Sequence, residues 1–436
     1  MGAPTRQEYD ICPAPATVSP RPAMAALTCT DMYSTAPHAR PKCEKGLAIL
    51  LSSPYKVRMS STSHAPTGRR ELRRIRVESV VGALLSQGPI SRTDLAAATG
   101  YSPSTVTGIV HELQELGYLH EVGQRESTGG RRRTLMEIDR SAVVLVVAEI
   151  CRGSVRASLI DLDANVLETR ESVFDAEDPV ASTAQAVSEL TAAAPRRPAR
   201  LVLALPGVVG TDGTVSLAPD FAAANGSELA GELQRRTGLQ VTLENDVNLV
   251  ALGERSAGAA AGADDLVLIH VAEGVGATIL SGGRLLHGAT RSAGEVGFLP
   301  VAPRPLPHGN RGPFEAAWST PAIAAAAKSA GLDAGGGVIA RMCTDERTRT
   351  LRDDVLDAWA WAAVVCACVL NPALVVFSGD AVGLDDPART ALTNRIRAAA
   401  PSAPDVTFAS LGPAGILHGA VARVLEDPSA LITPGG

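Results

Sequence analysis

The first regular spacing of apolar positions begins near Glu71. Ile75, Val77, Val80, Val81, Leu84 and Leu85 recur at helical intervals, and Gln87-Gly88-Pro89 ends the run. A shorter helix is predicted from Ser91 to Thr99, with Leu95, Ala96 and Ala98 apolar, and Gly100-Tyr101 makes the turn after it. Ser102 then fits an N-cap, and Pro103 takes the first helical position, where its missing N–H is harmless. The third helix runs to about Leu116 and turns Val106, Ile109, Val110 and Leu113 to one face. Two strand-like segments, Tyr118–Val122 and Thr134–Ile138, flank the turn-rich loop Gly123–Arg133.

Helix, helix, turn, helix and a two-stranded wing predict a winged helix-turn-helix over residues 69–140. From Ala142 the texture changes. Val143–Ile150 is a continuous apolar strand, with Val155–Asp161 and Val166–Ser172 as hairpin partners. A helix around Ser182–Ala193 and a strand at Arg200–Leu205 follow, and a similar strand-rich start recurs at Asp265–Ile279 and Arg284–Leu286. Two α/β lobes of related architecture account for this better than one large sheet. They divide residues 141–436 into roughly 141–255 plus the C-terminal helix, and 256–412. Residues 1–68 are rich in Pro, Ser, Thr and Ala, lack either periodicity, and read as disordered. Met24, Met32 and Met59 are alternative starts that would leave part of this segment untranslated.

Composition changes this picture little. The formal net charge of -6 does not exclude nucleic acid, because binding depends on where the basic residues cluster. No apolar run approaches the ~20 residues that span a bilayer, and Leu47–Leu51 is too short for a signal-peptide core. The expectation is a cytoplasmic protein with no membrane partner. The seven cysteines are scattered. Cys366 and Cys368 lie in the apolar run Trp361–Leu370, where they are expected to be buried core thiols rather than a disulfide or metal site.

The third helix presents a small, polar N-terminal face of the kind that enters a major groove. Ser102, Ser104, Thr105 and Thr107 are available to base edges and phosphates, with His111 one turn further on. The wing carries Gly129-Gly130-Arg131-Arg132-Arg133, where glycines permit close approach and Arg131, Arg132 and Arg133 can pair with phosphates or enter a minor groove. Arg69, Arg70, Arg73, Arg74 and Arg76 form a second basic run. The alternative for the same helices is a dimerisation or docking module, with the arginines merely solvated.

Downstream motifs carry a resemblance. They are Leu203-Ala-Leu-Pro-Gly-Val, Leu243-Glu-Asn-Asp-Val-Asn, Gly282-Gly-Arg-Leu, Ala293-Gly-Glu-Val-Gly, Gly309-Asn-Arg-Gly with Glu315 following, and Leu370-Asn-Pro-Ala-Leu-Val-Val-Phe-Ser-Gly. In order and spacing the chain resembles the ROK family of bacterial sugar-responsive repressors and sugar kinases over about residues 75–425. The resemblance implies an actin/ribonuclease-H-like pair of lobes with a cleft between them. It also implies sugar binding by Asn245, Asp246, Glu295 and Glu315, whose carboxylates and amide suit a vicinal diol. No basic partner for these acids is evident in the sequence. Asn245 and Asp246 also fit a plain cap on the helix Asn248–Glu254, and the two roles can coexist.

The departures matter as much. Family kinases open this domain with an Asp-x-Gly-x-Thr phosphate loop, whose places hold Glu149, Cys151 and Gly153, so the glycine turn and the threonine hydroxyl are expected to be lost. The second phosphate loop reads Ala272-Glu-Gly-Val-Gly-Ala-Thr278, which sets Glu273 against ATP phosphates. The zinc ligands are replaced by Phe298, Leu306, His308 and Pro313, with Phe298 expected to pack inward and the prolines to hold the loop Pro303–Pro313. No cofactor, ATP or zinc, is therefore expected. The resemblance implies a homo-oligomeric DNA-binding regulator, a repressor of carbohydrate-related genes. It would be modulated by a sugar and bind a double-stranded operator with recognition helices about 34 Å apart. The alternatives are a regulator with a vestigial sugar pocket and a sugar kinase with a DNA-binding head.

Overall fold

A computed structural model describes residues 68–436 except 126–132, 152, 193, 195, 211–212, 217–228, 302–310, 333–335 and 432–436. The expected disorder of residues 1–68 falls, but for Gly68, outside the described residues, as do Arg131, Arg132, Leu306 and His308. His64–Gly436 forms one compact unit.

The N-terminal helices follow their apolar spacing closely. They are α1 (Arg69–Gln87), α2 (Arg92–Thr99) and α3 (Pro103–Glu115), with the short strand β1 (Ile90–Ser91) between the first two. Ser91 caps α2 by accepting the Asp94 N–H at 3.2 Å, and Gly100 ends it in the left-handed conformation. Ser102 caps α3 by accepting the Thr105 N–H at 3.2 Å. The wing strands β2 (Leu119–Arg125) and β3 (Arg133–Ile138) pair antiparallel, and β1 adds to β3. Val80, Leu84, Leu95, Val106, Val110, Leu113 and Met136 fill the core of this head.

The first lobe contains β4 (Val144–Cys151), β5 (Ser154–Asp161), β6 (Val166–Val173), α4 (Pro179–Ala192), β7 (Arg200–Leu205), the ribbon β8 (Val208–Val209) and β9 (Val215–Ser216), α5 (Leu229–Thr237), β10 (Val241–Asn245) and α6 (Asp246–Ala257). Its sheet order is β10-β7-β4-β5-β6. Central β4 is buried almost end to end, whereas edge strand β6 is charged and mostly exposed.

The second lobe repeats the plan with β11 (Leu266–Val271), β12 (Val275–Ser281), β13 (Arg284–Leu285), α7 (Pro313–Trp318), α8 (Thr320–Ser329), α9 (Val338–Thr344), α10 (Arg349–Leu370), β14 (Leu374–Gly379), α11 (Asp386–Ala399) and β15 (Asp405–Phe408). Its order, β13-β12-β11-β14-β15, is again an antiparallel meander followed by parallel strands. Cys366 on α10 is buried, and burial pushes its thiol up to about 11. Cys368 is exposed, which corrects the expectation of two buried thiols: two residues along a helix turn about 200° around its axis.

The last helix, α12 (Ala414–Leu425), returns to the first lobe and crosses α6 at backbone contact distance. A Cβ on Gly253 would lie 2.0 Å from the Gly415 carbonyl oxygen, and one on Gly419 would lie 1.9 Å from that of Leu249. On its other side α12 buries Leu417, Ala420, Val421 and Val424 against Leu145, Val147, Val202 and Ala204, and this cluster is continuous with the core of the head. Glu254, near the end of α6, accepts the N–H groups of Ser410 at 2.9 Å and Leu411 at 2.8 Å, tying the entry of α12 to α6. Among the described residues no helix is long and apolar enough to cross a membrane.

Candidate ligand cleft and nucleic-acid interface

The cleft begins where β10 gives way to α6. Asn245 caps α6: its Oδ1 accepts the Asn248 N–H at 3.0 Å, while its Nδ2 donates to the Gly207 carbonyl at 3.1 Å. Asp246 lies in the first turn, where its Oδ1 accepts the Val247 N–H at 2.8 Å. Removal from water pushes the Asp246 carboxyl up to about 6, against the pull of the backbone N–H groups.

Glu295 and Glu315 come from the second lobe. Gly294, Gly297 and Gly312 let three backbone segments stack there: their Cβ atoms would fall 1.9 Å from the Ala277 oxygen, 2.5 Å from the Val275 oxygen and 2.1 Å from the Gly297 oxygen. Only glycine permits these approaches, which explains the spacing of the Ala293–Gly297 and Gly309–Gly312 motifs. The stack fixes Glu295 beside the cleft. On α7, Glu315 accepts the Val275 N–H at 3.3 Å and has the Arg311 Nε 3.7 Å away. Burial raises the Glu295 carboxyl above its ordinary range, and the charges of Glu315 and Asp246 add to the effect. Buried Glu149, at the end of β4, is raised by desolvation and by Asp246, with Arg156 opposing. The four residues expected from the motifs thus converge, with Glu149 alongside.

The cleft measures about 430 Å3 including its open mouth, and its lining includes Asn245, Asn248, Glu244, Gly276, His287, Arg291 and Glu295. Arg311, 3.7 Å from Glu315, corrects the expectation of acids without evident basic company, and His287 and Arg291 line the same cleft. No motif marked these last two, because they sit on an irregular connection after β13 that only the fold turns inward. Glu244 is a further group that motif reading passed over. It is buried, and it accepts from Arg423 Nε on α12 at 3.0 Å and from Asn248 Nδ2 at 2.8 Å. Asn248 Oδ1 in turn accepts the Thr278 hydroxyl of β12 at 2.9 Å. One polar chain therefore joins both lobes to the last helix.

The loop positions of the phosphate sites are also visible. Cys151 pairs with Ser154 across a tight β4–β5 turn in which Gly153 has φ 77°, so a tight glycine turn is present after all, displaced by two residues from the expected glycine position. Glu273 is exposed at the β11–β12 turn, closed by the Ala272 N–H donating to the Gly274 carbonyl at 2.9 Å. Phe298 is half-buried, Pro313 opens α7, and Leu306 and His308 lie outside the described residues. Among the described residues no group of three or more His, Cys, Asp or Glu side chains is placed to hold a metal ion.

On the head, Ser102, Ser104, Thr107 and His111 are exposed along α3. Thr105 is half-buried, and its hydroxyl lies 2.9 Å from that of Ser102 within the cap. Thr107 donates to the Pro103 carbonyl at 2.7 Å, and His111 lies 3.3 Å from Glu115. Arg133 starts β3 and donates to Asp94 at 3.0 Å, an exposed pair that ties the base of the wing to α2 and leaves the guanidinium open to solvent. In the upstream run, Arg73 pairs with Glu112 and Arg74 with Glu78, so that patch is partly neutralised.

Known proteins share this fold and its domain order. Residues 147–426 match the ROK family, and residues 79–134 match the MarR family. The xylose repressor of Bacillus subtilis is 24% identical over 56% of this chain and 65% of its own length. The DNA-binding transcriptional dual regulator NagC of Escherichia coli is 29% identical over 56% of this chain and 62% of its own. The matched stretch thus spans less than two thirds of either relative. In fold, a ROK family transcriptional regulator homologous to the E. coli MLC protein superposes with a TM-score of 0.71 at 22% identity, covering 83% of this chain and 98% of that one. The ROK hexokinase of Thermus thermophilus superposes with a TM-score of 0.56 at 24% identity, covering 65% of this chain and 99% of the hexokinase. With the family match spanning well over half of its length, the chain belongs to the ROK family.

Proposed function

We propose that the protein is a sequence-specific DNA-binding transcriptional regulator, a repressor of carbohydrate-related genes, whose DNA affinity is set by a sugar bound in the cleft. The observation that carries this reading is the buried path from cleft to head. Asn245 and Asp246 start α6, α6 crosses α12 in backbone contact, and the apolar face of α12 shares one core with α1 to α3. A ligand that favours one arrangement of the lobes has a rigid route to the recognition helix, to the extent that it binds the two states differently. A relative named as a repressor and another named as a DNA-binding transcriptional dual regulator support a regulatory output.

The partners in this reading are a double-stranded operator, a sugar effector and a second copy of the chain, and the compartment is the cytoplasm. We read the chain as non-catalytic and without a resident metal or nucleotide. Asp246 could act as a base toward a sugar hydroxyl, but Glu149, Cys151 and Glu273 replace the groups that would cradle a phosphoryl donor.

The test is binding of the full chain to its own upstream DNA, followed by fluorescence anisotropy across a salt series. Specific binding that weakens steeply with salt is expected, and Thr107→Glu on the exposed face of α3 should abolish it by repelling phosphate. Sequence-independent binding at every salt concentration would overturn the reading. ATP-dependent phosphorylation of hexoses in a coupled assay would reassign the protein as a kinase.

A further inference from the structure

The acids of the cleft do not all share one neighbourhood: buried Glu244, paired with Arg423, acts on His287. Asp246, Glu149, Glu295 and Glu315 form one neighbourhood, in which the charges acting on Glu295 are those of Glu315 and Asp246, and those acting on Glu149 are Arg156 and Asp246. Arg291 belongs to neither set. Its half-buried side chain lines the same cleft, where its Nη2 approaches His287 Nε2 at 3.2 Å. Among the described residues it meets no carboxylate at ion-pair distance. Burial, and then the guanidinium itself, hold the His287 imidazole below its ordinary range, with the Glu244 carboxylate opposing and Arg423 reinforcing.

The backbone points the same way. Arg291 has φ 61°, one of three non-glycine residues in the left-handed region among the described residues. A residue with a Cβ adopts this conformation at an energetic cost, which the fold sustains most often at functional sites. A turn of Gly288 to Ala293, closed by the Ala293 N–H donating to the His287 carbonyl at 3.2 Å, holds it there. A strained turn, a cation facing a cleft and no counter-ion together describe a site for an anion. A guanidinium fork suits phosphate or carboxylate oxygens, and its charge is costly to leave partly buried without one.

We propose that the ligand of this cleft is an anionic sugar. Its hydroxyls are taken by Asn245, Asp246 and Glu295, and its phosphate or carboxylate is held by Arg291 beside His287. This inference rests on the sugar-regulator reading and narrows it to a ligand class.

The experiment compares matched ligands on the full chain by thermal unfolding and calorimetry: glucose against glucose 6-phosphate and glucuronate, and N-acetylglucosamine against its 6-phosphate. At least one anionic member should bind about tenfold or more tightly than its neutral partner, the scale of one charge-assisted contact. A response to a 6-phosphate but not to glucuronate assigns the anion as phosphate, and the converse as carboxylate. Arg291→Gly, which suits the left-handed backbone and keeps the unliganded Tm, should bring each pair within about threefold, and Arg291→Lys should retain part of the preference. If neutral sugars bind as tightly as anionic ones, or Arg291→Gly leaves the preference intact, the anionic class is wrong while the sugar reading stands. If no member of any pair binds, the sugar reading falls and this inference with it.

Discussion

Asp246 is the residue whose protonation most directly reports the state of the cleft. Its carboxyl lies near 6 in the folded chain against an ordinary 3.8, so the folded state holds the proton more tightly than the unfolded one. The stability this adds is fully present below about pH 4 and is lost as pH rises through 6, leaving a desolvated charge at neutral pH. Asp246→Asn retains an oxygen for the Val247 N–H and removes that charge. The variant should gain about 1 to 3 kcal/mol over the native chain between pH 4 and 7 and level off on either side, as urea unfolding at stepped pH will show. Buried Glu244 is paired with Arg423 at 3.0 Å, and Arg423 also meets Glu426 at 2.9 Å, so Glu244→Gln removes one of its two carboxylates and a loss of about 1 to 3 kcal/mol is expected at pH 7 by urea unfolding. At this scale the sequence identified Asn245, Asp246, Glu295 and Glu315 because each stands in a short motif. It did not reveal Arg291, His287 or the Glu244–Arg423 pair, since these come together across gaps of chain that no local spacing encodes.

Among the elements, the crossing of α6 and α12 is the joint on which both lobes and the head depend. Gly419→Ala would push a methyl to within 1.9 Å of the Leu249 carbonyl carbon's oxygen, so the helices must separate. A loss of about 1 to 3 kcal/mol is expected, together with a weaker effect of ligand on DNA affinity, measured by urea unfolding and by anisotropy with and without sugar. Where apolar periodicity was simple, the elements were readable to within a residue or two: α2, α3 and β7 lie where their spacing placed them. The related plan of the two lobes was also legible, because each begins with a run of buried strand residues. Helices α7 to α11 were less so. Long α10 is buried on several faces by its neighbours and thus lacks a clean amphipathic stripe. Local spacing assigns no role to the glycines of α6 and α12, and only the tertiary crossing explains them.

Across the whole molecule, one buried cluster runs from Val80 and Leu84 of α1 through Leu145 and Val147 of β4 to Val421 and Val424 of α12. A head packed into the lobe in this way is expected to move with it, so the proposed regulation has rearrangement in the cleft alter the placement of α3. Coupling of this kind is reciprocal: whatever the sugar does to DNA affinity, DNA does to sugar affinity by the same factor. The most direct measurement is a titration of upstream DNA with the full chain, alone and with a saturating amount of whichever tested sugar raises the Tm most. A shift in DNA affinity of about 5- to 150-fold, matched by an equal change in sugar affinity when DNA is present, is the predicted result. Identical DNA affinity with and without saturating sugar would contradict it.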